Sequence, residues 1–267
     1  MFRSVWSCSR KVANSSLYIS IVKMASLPVV LHIPNVLCYI RILLGFWGLV
    51  LSTAYSSRCS SSTNECMSSQ TTTPLKAIGI WVFSAILDLF DGILARWLKQ
   101  TSQFGVLLDI VADNLLRSCT WMALAISAVT QHENLSNDFM KAEIIVLTST
   151  MVLCLEWCTM IATQLHASSH QQHWKEARAN DPWMVRQYFA NNFGNPIGTV
   201  GIYGLFTASL FAYGSFYNVV YENIPYFSVW RYLAYAGRAL SASIEVYFCT
   251  SYLSVLLKSE VMHQKDN

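Results

Sequence analysis

The sequence predicts an all-α integral membrane protein with about six transmembrane helices in one bundle. Of the 267 residues, 54% are hydrophobic and only 12% are charged, about half the charged share of an ordinary soluble domain. Long apolar runs recur along the chain, each about long enough, at roughly 1.5 Å per residue, to cross a hydrocarbon layer of about 30 Å. No segment shows the short alternating pattern of an outer-membrane barrel, so helices are the expected way to satisfy the backbone in lipid.

The apolar runs give the predicted helices in chain order. They cover residues 33–54, 75–98, 103–130, 142–166, 194–216 and 228–257. We assign residues 33–257 to one membrane domain and residues 258–267 to a cytosolic tail. The net charge of +3 is too small to indicate a nucleic-acid partner.

The segment before the first helix, residues 1–32, carries four basic residues, many serines and no acid. This composition resembles a mitochondrial transit peptide. Met24 offers a second start, however, and the stretch has weak apolar periodicity and no clear cleavage signal. We therefore favour an extension over residues 1–23 that is untranslated or flexible, with a transit peptide as the alternative.

Lysine and arginine orient the predicted helices, because they concentrate on the cytosolic side of membrane proteins. Most of them fall on one side if the N-terminus is cytosolic, and that side includes Arg96 at the end of the second run. On this orientation Cys59 and Cys66 lie in a lumenal Ser/Thr-rich loop, where a disulfide and two free thiols are both open. Asn134, in an N-L-S sequon, would also be lumenal.

Four aspartates interrupt the second and third apolar runs: Asp88, Asp91, Asp109 and Asp113. A carboxylate near the middle of a membrane helix costs roughly 2.5–3.5 kcal/mol even on the lenient insertion scale. Spacings of three and four residues place each pair on one helical face. The short connection between the runs would bring the two pairs face to face near the cytosolic interface, so we expect a polar ligand there.

Grouped carboxylates are hard oxygen ligands that suit Mg²⁺ or Mn²⁺, usually together with substrate phosphates. Four carboxylates and a diphosphate carry about −6, and two divalent ions with Arg41 and Arg96 supply about +6, so the assembly is close to neutral. Salt bridges between helices are the alternative role for the acids. We disfavour it because few basic residues lie within the apolar runs.

The acids belong to a longer pattern, D-x-x-D-G-x-x-A-R-x8-G-x-x-x-D-x-x-x-D. The chain matches it at Asp88, Asp91, Gly92, Ala95, Arg96, Gly105, Asp109 and Asp113. This pattern resembles the signature of the CDP-alcohol phosphatidyltransferase family. The opening IPNVLCYIR and the stretch LDLFDGILAR are most similar to the eukaryotic phosphatidylinositol synthases of that family.

The resemblance implies a reaction in which a phosphatidyl group passes from CDP-diacylglycerol to a small alcohol and CMP is released. Asp88, Asp91 and Asp109 would hold one metal ion, and Asp113 would replace Asp91 at the second. Asp113 would also be the catalytic general base. The residues implied for the CDP-lipid are Asn35, Arg41, Gly92, Ala95, Arg96 and Gly105.

The acceptor implied by the resemblance is a small polyol, with myo-inositol the leading candidate. Asn114 stands where the inositol enzymes carry an arginine, and Arg117, one turn beyond Asp113, and Arg186 are the expected acceptor contacts. A phosphatidylglycerophosphate or cardiolipin synthase-type enzyme and a non-catalytic scaffold remain alternatives. The expected location is the endoplasmic reticulum membrane, with the site facing the cytosol, and the mitochondrial inner membrane is the alternative.

Three smaller patterns lie outside the signature. Cys154 and Cys158 share a helical face and are interpreted as packing residues. The histidines of HASSHQQHW are interpreted as part of an interfacial segment, with a zinc site as the alternative; they are His166, His170 and His173. A glycine series predicts a close helix contact, either within the bundle or in a homodimer; it comprises Gly194, Gly198, Gly201 and Gly204.

Overall fold

The predicted all-α class is confirmed by a computed structural model of the chain. The structure describes residues 28–61, 72–131, 139–170, 181–217, 219 and 226–266, and within these ranges the regular structure is helical throughout. Predictions at Met24, Cys66, Asn134 and His173 lie outside the described residues, as do those at the side chains of Cys59, His166 and His170.

Six long helices follow the six predicted runs closely. The α-helices are α1 (Ile33–Ser61), α2 (Thr72–Trp97), α3 (Gln103–Gln131), α4 (Phe139–His170), α5 (Trp183–Phe189), α6 (Pro196–Phe216) and α7 (Phe227–Asp266). The short α5 was not predicted, because seven residues are too few to show a periodic pattern. The last helix continues beyond the predicted end at 257, so the segment assigned to a tail is helical to Asp266.

The chain is a multi-pass membrane protein. Within the described ranges four segments are long and apolar enough to cross a bilayer: Ile33–Arg58, Thr72–Trp97, Met140–Leu165 and Pro196–Phe216. These helices present large apolar side chains on their outer faces, such as Leu43 at 67% exposure and Met151 at 64%. Exposed leucine and methionine in such numbers are suited to contact with lipid rather than water.

The chain divides into two compact units, the first formed by Met1–Phe46 and Ile80–Leu116. In this unit α1 and α2 are joined by buried polar contacts to backbone carbonyls. The Trp81 indole donates to the Gly45 carbonyl at 3.1 Å, and the Ser84 hydroxyl donates to the Arg41 carbonyl at 3.2 Å. Because the small Ser84 and the flat Trp81 ring reach the backbone directly, the two helices approach closely.

The turn between α2 and α3 fixes the ends of three helices in the first unit. Lys99 adopts a left-handed conformation with φ of 54°, and the Gln100 amide donates to the Ala95 carbonyl at 2.9 Å. This is a Schellman-type helix end, with lysine where glycine is more usual. The buried Gln100 side chain then accepts from the Ile33 amide at 3.1 Å, which anchors the start of α1 to the turn.

The second unit comprises Trp47–Gly79 and Arg117–Asn267. Here α6 and α7 cross with their backbones almost in contact, because a Cβ on Gly204 would lie 2.5 Å from the Ala234 carbonyl oxygen. A Cβ on Gly198 would likewise lie 2.5 Å from the Tyr188 carbonyl oxygen. The predicted close contact at the glycine series is therefore made within the chain, by α5, α6 and α7.

Cys154 and Cys158 are both exposed on α4 and unpaired. Their interpretation as packing residues within the chain is therefore wrong. In a membrane helix the lipid-facing side is as apolar as the core-facing side, so apolar periodicity does not distinguish the two.

We predict that Gly204→Ala destabilises the chain, because the added methyl group would overlap the backbone of α7 at Ala234 and Gly237. Overpacking of this kind costs about 1–3 kcal/mol or more. Gly79→Ala is the matched control, since a Cβ there meets nothing within 4 Å, and the better helix propensity of alanine should leave stability equal or slightly higher. Thermal unfolding in detergent measures both, and equal melting temperatures would contradict the backbone contact.

Candidate active site

The two aspartate pairs face each other in the first unit, as their spacing predicted. Asp88 and Asp91 project from α2, and Asp109 and Asp113 project from α3. Ligand atoms of Asp88, Asp109 and Asp113 all lie within 4.8 Å of one another. A second group within the same limit joins Asp91 and Asp109 to Cys38 of α1.

One arginine contacts all four carboxylates. The Arg41 side chain, from α1, is 0% exposed, and its Nη1 lies 2.7 Å from both Asp91 and Asp109. Its Nη2 lies 2.8 Å from Asp88 and also pairs with Asp113. We had disfavoured salt bridges because few basic residues lie within the apolar runs. The structure shows that a single guanidinium reaches all four acids. The cluster therefore still has four carboxyl groups for one positive charge.

Cys38 is a neighbour of the acids that the sequence did not single out. It is 2% exposed, and its thiol donates to Asp91 Oδ2 at 3.6 Å. The signal was present in the spacing, because Cys38 lies three residues before Arg41 on the same face of α1.

A cavity of about 200 Å³ opens beside the carboxylates within the first unit. Five of the six residues expected to bind the CDP-lipid line it: Asn35, Gly92, Ala95, Arg96 and Gly105. Asp91, Asp109 and Cys38 belong to the same wall, so the cavity and the acid cluster are continuous. Arg41, the sixth expected residue, is instead buried among the carboxylates.

The two signature glycines make room for different neighbours. A Cβ on Gly105 would lie 2.8 Å from the Asn35 side-chain oxygen, so this glycine allows α3 to approach α1. A Cβ on Gly92 would meet only the end of the Arg96 side chain, at 3.9 Å. Gly92 therefore leaves open space in the cavity, whereas the space at Gly105 is already filled by the protein.

The carboxylates fit divalent metal ions by the chemistry of their donor set. Mg²⁺ and Mn²⁺ prefer hard oxygen ligands and bind with few protein carboxylates plus substrate phosphates. Asp88, Asp109 and Asp113 form an all-carboxylate group of this kind, whereas the second group combines Asp91 and the shared Asp109 with the softer thiol of Cys38.

The residues expected to contact the acceptor are not part of the acid cluster. Arg117 belongs to the second unit, where its Nε donates to Glu156 at 3.0 Å and its guanidinium lies 5.2 Å from the centre of the Phe206 ring. Arg186 is exposed on α5. Asn114, the residue after the last signature aspartate, is buried on α3.

Arg117 belongs to a buried charge network in the second unit. Glu156 of α4 also pairs with Arg238 of α7 at 3.2 Å, and Arg238 donates to Glu245 at 3.0 Å. The Nε and Nη1 atoms of Arg238 are buried without a hydrogen-bond partner in the described part of the chain. Buried polar atoms nearly always have partners, so these donors are suited to a ligand or water. The sequence did contain a signal for this network, because charged residues are unusual within apolar runs. We did not single out Arg238 and Glu245 on that basis.

The fold is thus a multi-helix membrane protein with a carboxylate cluster beside a cavity in its first unit. The family model of the CDP-alcohol phosphatidyltransferases matches residues 31–236. The chain belongs to the CDP-alcohol phosphatidyltransferase family.

Curated relatives share parts of the chain. It is 28% identical over 167 residues to the probable CDP-diacylglycerol–inositol 3-phosphatidyltransferase 2 of Arabidopsis thaliana, covering 62% of this chain and 60% of the relative. It is 34% identical over 115 residues to the CDP-diacylglycerol–inositol 3-phosphatidyltransferase of Schizosaccharomyces pombe, covering 42% of each.

A third relative names a different acceptor. Over 59 residues the chain is 44% identical to the CDP-diacylglycerol–glycerol-3-phosphate 3-phosphatidyltransferase of Yersinia enterocolitica, which is 22% of this chain and 30% of the relative. The chain thus spans less than two thirds of each of these three relatives. No solved structure matches it significantly.

We predict that Glu156→Ala strongly destabilises the second unit, because it leaves two buried guanidinium groups without their shared carboxylate. Breaking a buried ion pair by removing one partner costs about 3–5 kcal/mol. Glu143→Ala, at an exposed position of the same helix, is the control and should stay within about 0.5 kcal/mol. The melting temperatures in detergent compare the two, and similar values for both variants would refute a central role of the network.

Proposed function

We propose that the protein transfers the phosphatidyl group of CDP-diacylglycerol to a small alcohol, in the membrane, with release of CMP. The observation that carries this proposal is the continuity of the four-aspartate cluster with a cavity lined by five expected donor-binding residues. Membership of the family supports the same reaction.

The four aspartates are proposed to hold two Mg²⁺ or Mn²⁺ ions. Asp88, Asp91 and Asp109 would hold the first, and Asp88, Asp109 and Asp113 the second; the latter trio is also one of the two groups of adjacent ligand atoms. When bound, the ions would supply positive charge to the diphosphate and to the departing CMP.

Asp113 is the proposed general base. It would take the proton of the acceptor hydroxyl as that oxygen bonds to the lipid-side phosphorus. The bond from this phosphorus to the bridging diphosphate oxygen breaks at the same centre, and its electron pair leaves with CMP. The acyl chains can stay in the bilayer, because the reacting groups alone need to reach the polar site.

The cavity residues have proposed roles that follow from the space around them. Gly92 and Ala95 would leave room for the cytidine and ribose, because a side chain at Gly92 would project into open space. Arg96 would contact a phosphate, and Asn35 would fix the cavity wall through its 2.6 Å bond to the Val29 carbonyl. Gly105 would act indirectly, by letting Asn35 reach this position.

The acceptor is proposed to be a small polyol, with myo-inositol first. The Arabidopsis and Schizosaccharomyces relatives carry inositol in their names, and the Yersinia relative supports glycerol 3-phosphate as the second candidate. Arg117 and Arg186 are the proposed acceptor contacts.

The proposed location is the endoplasmic reticulum membrane with the site facing the cytosol. The mitochondrial inner membrane, with a phosphatidylglycerophosphate or cardiolipin synthase-type activity, is the alternative. A non-catalytic scaffold is the alternative from another class, and the full set of signature residues in one unit argues against it.

The direct test supplies purified protein with CDP-diacylglycerol and Mn²⁺ or Mg²⁺ and measures CMP released with myo-inositol, glycerol 3-phosphate or serine. We predict release with myo-inositol and loss of at least about a hundredfold in Asp113→Asn, consistent with removal of a general base. If no acceptor raises the amount of CMP released above that of the Asp113→Asn control, the hypothesis that the protein is an enzyme is wrong. If CMP is released with glycerol 3-phosphate but not with myo-inositol, the acceptor is glycerol 3-phosphate.

We predict that Gly92→Leu raises the KM for CDP-diacylglycerol about tenfold or more, because the side chain would fill the cavity. The fold should survive, since a Cβ at this position meets only the flexible end of Arg96. Gly79→Leu, also on α2 and facing open space, is the control expected to keep the KM of the wild type. An unchanged KM in Gly92→Leu, with the fold intact, would remove the cavity from the donor site.

A further inference from the structure

We propose that Arg41 is a counter-ion that the metal ions displace: it holds the four aspartates together in the metal-free chain and competes with the ions for the same oxygens. This inference rests on the proposed metal binding. It adds that the ions must displace Arg41 from the carboxylates, which lowers the metal affinity.

The contacts of Arg41 with the four aspartates are symmetric. Each terminal nitrogen of Arg41 bridges α2 and α3, because Nη1 contacts Asp91 and Asp109, and Nη2 contacts Asp88 and Asp113. The guanidinium therefore joins the two helices at both levels of the cluster. A planar group with five N–H donors is suited to several carboxylates at once, whereas a single ammonium is not.

The two terminal nitrogens of Arg41 contact carboxylate oxygens of both candidate metal-binding groups. Both partners of Nη1, Asp91 and Asp109, belong to the group that includes Cys38. Both partners of Nη2, Asp88 and Asp113, belong to the other group. The nitrogens lie 2.7–2.8 Å from Asp88, Asp91 and Asp109, and a bound Mg²⁺ would lie about 2.0–2.1 Å from the same kind of oxygen. Arginine and metal ions would thus compete for the same lone pairs, and their positive charges would repel each other.

The metal-free fold depends on Arg41 as the counter-ion of the aspartates. Its side chain is fully buried, and Asp91 is nearly so. Carboxylates held close together in an apolar surrounding repel one another unless a cation lies among them. Within the described residues Arg41 is the cation that pairs with these four acids.

Displacement by metal ions would free the Arg41 guanidinium. The backbone of Arg41 is fixed by the Ser84 hydroxyl, but its Nε has no hydrogen-bond partner among the described residues. The side chain is therefore held mainly by the carboxylates that the ions would take over. Once released from them, it would be a free cation beside the diphosphate of a bound donor.

The experiment uses the full chain in detergent, stripped of metal with EDTA, as wild type, Arg41→Gln and Lys76→Gln. It measures the metal-free melting temperature and, by titration calorimetry, the affinity for Mn²⁺ alone. We expect Arg41→Gln to melt about 10 °C lower without metal and to bind Mn²⁺ about tenfold more tightly. Lys76 is exposed on α2, twelve residues or about 18 Å of helix before Asp88, so Lys76→Gln should match the wild type in both.

Weaker Mn²⁺ binding by Arg41→Gln, or an unchanged metal-free melting temperature, would overturn the inference. If Arg41→Gln does not fold, Arg41→Lys takes its place, because an ammonium keeps the charge but reaches fewer carboxylates. Its Mn²⁺ affinity should exceed that of the wild type, and a lower affinity would again refute the competition. Absence of Mn²⁺ binding in the wild type would instead contradict the proposed metal site itself.

Discussion

The close grouping of four carboxylates between apolar helices, with Asp91 buried and the other three partly exposed, is the constraint on which the first unit depends. Uncompensated, they would repel one another, so α2 and α3 could not face each other at this position. Arg41 reaches the carboxylates only because α1 lies close to α2, and that approach depends on the contacts of Trp81 and Ser84 with the backbone of α1. The Lys99–Gln100 turn then holds the start of α1 beside the same helices.

The second unit meets a similar constraint in a different way. Its buried charges are balanced, with Arg117 and Arg238 around Glu156 and Glu245, and its helices gain close contact through glycines rather than through a central cation. The two units therefore divide the polar chemistry. The first has more carboxylates than cations, whereas the second has paired charges and two Arg238 nitrogens without a hydrogen-bond partner among the described residues.

Most of the fold could be predicted because membrane crossing requires long apolar helices, and the six predicted runs lie within the six long helices or within a few residues of their ends. The acid pairs and the cavity lining could also be predicted, because helical spacing and the signature place these residues together. The fourfold role of Arg41 could not be predicted, because the number of basic residues does not reveal how many acids one guanidinium contacts. The exposure of Cys154 was missed because lipid-facing and buried positions look alike in sequence.

Electron paramagnetic resonance of bound Mn²⁺ tests the central claim most directly, because two ions that share Asp88 and Asp109 lie close enough to couple magnetically. Titration of the metal-free protein with Mn²⁺ in the presence of CDP-diacylglycerol should give two bound ions per chain and the broadened spectrum of a coupled pair. Asp109→Asn should lose the coupled spectrum, because Asp109 is common to both groups of ligand atoms. Independent single-ion spectra, or no bound manganese at all, would contradict a two-metal site built from the facing aspartates.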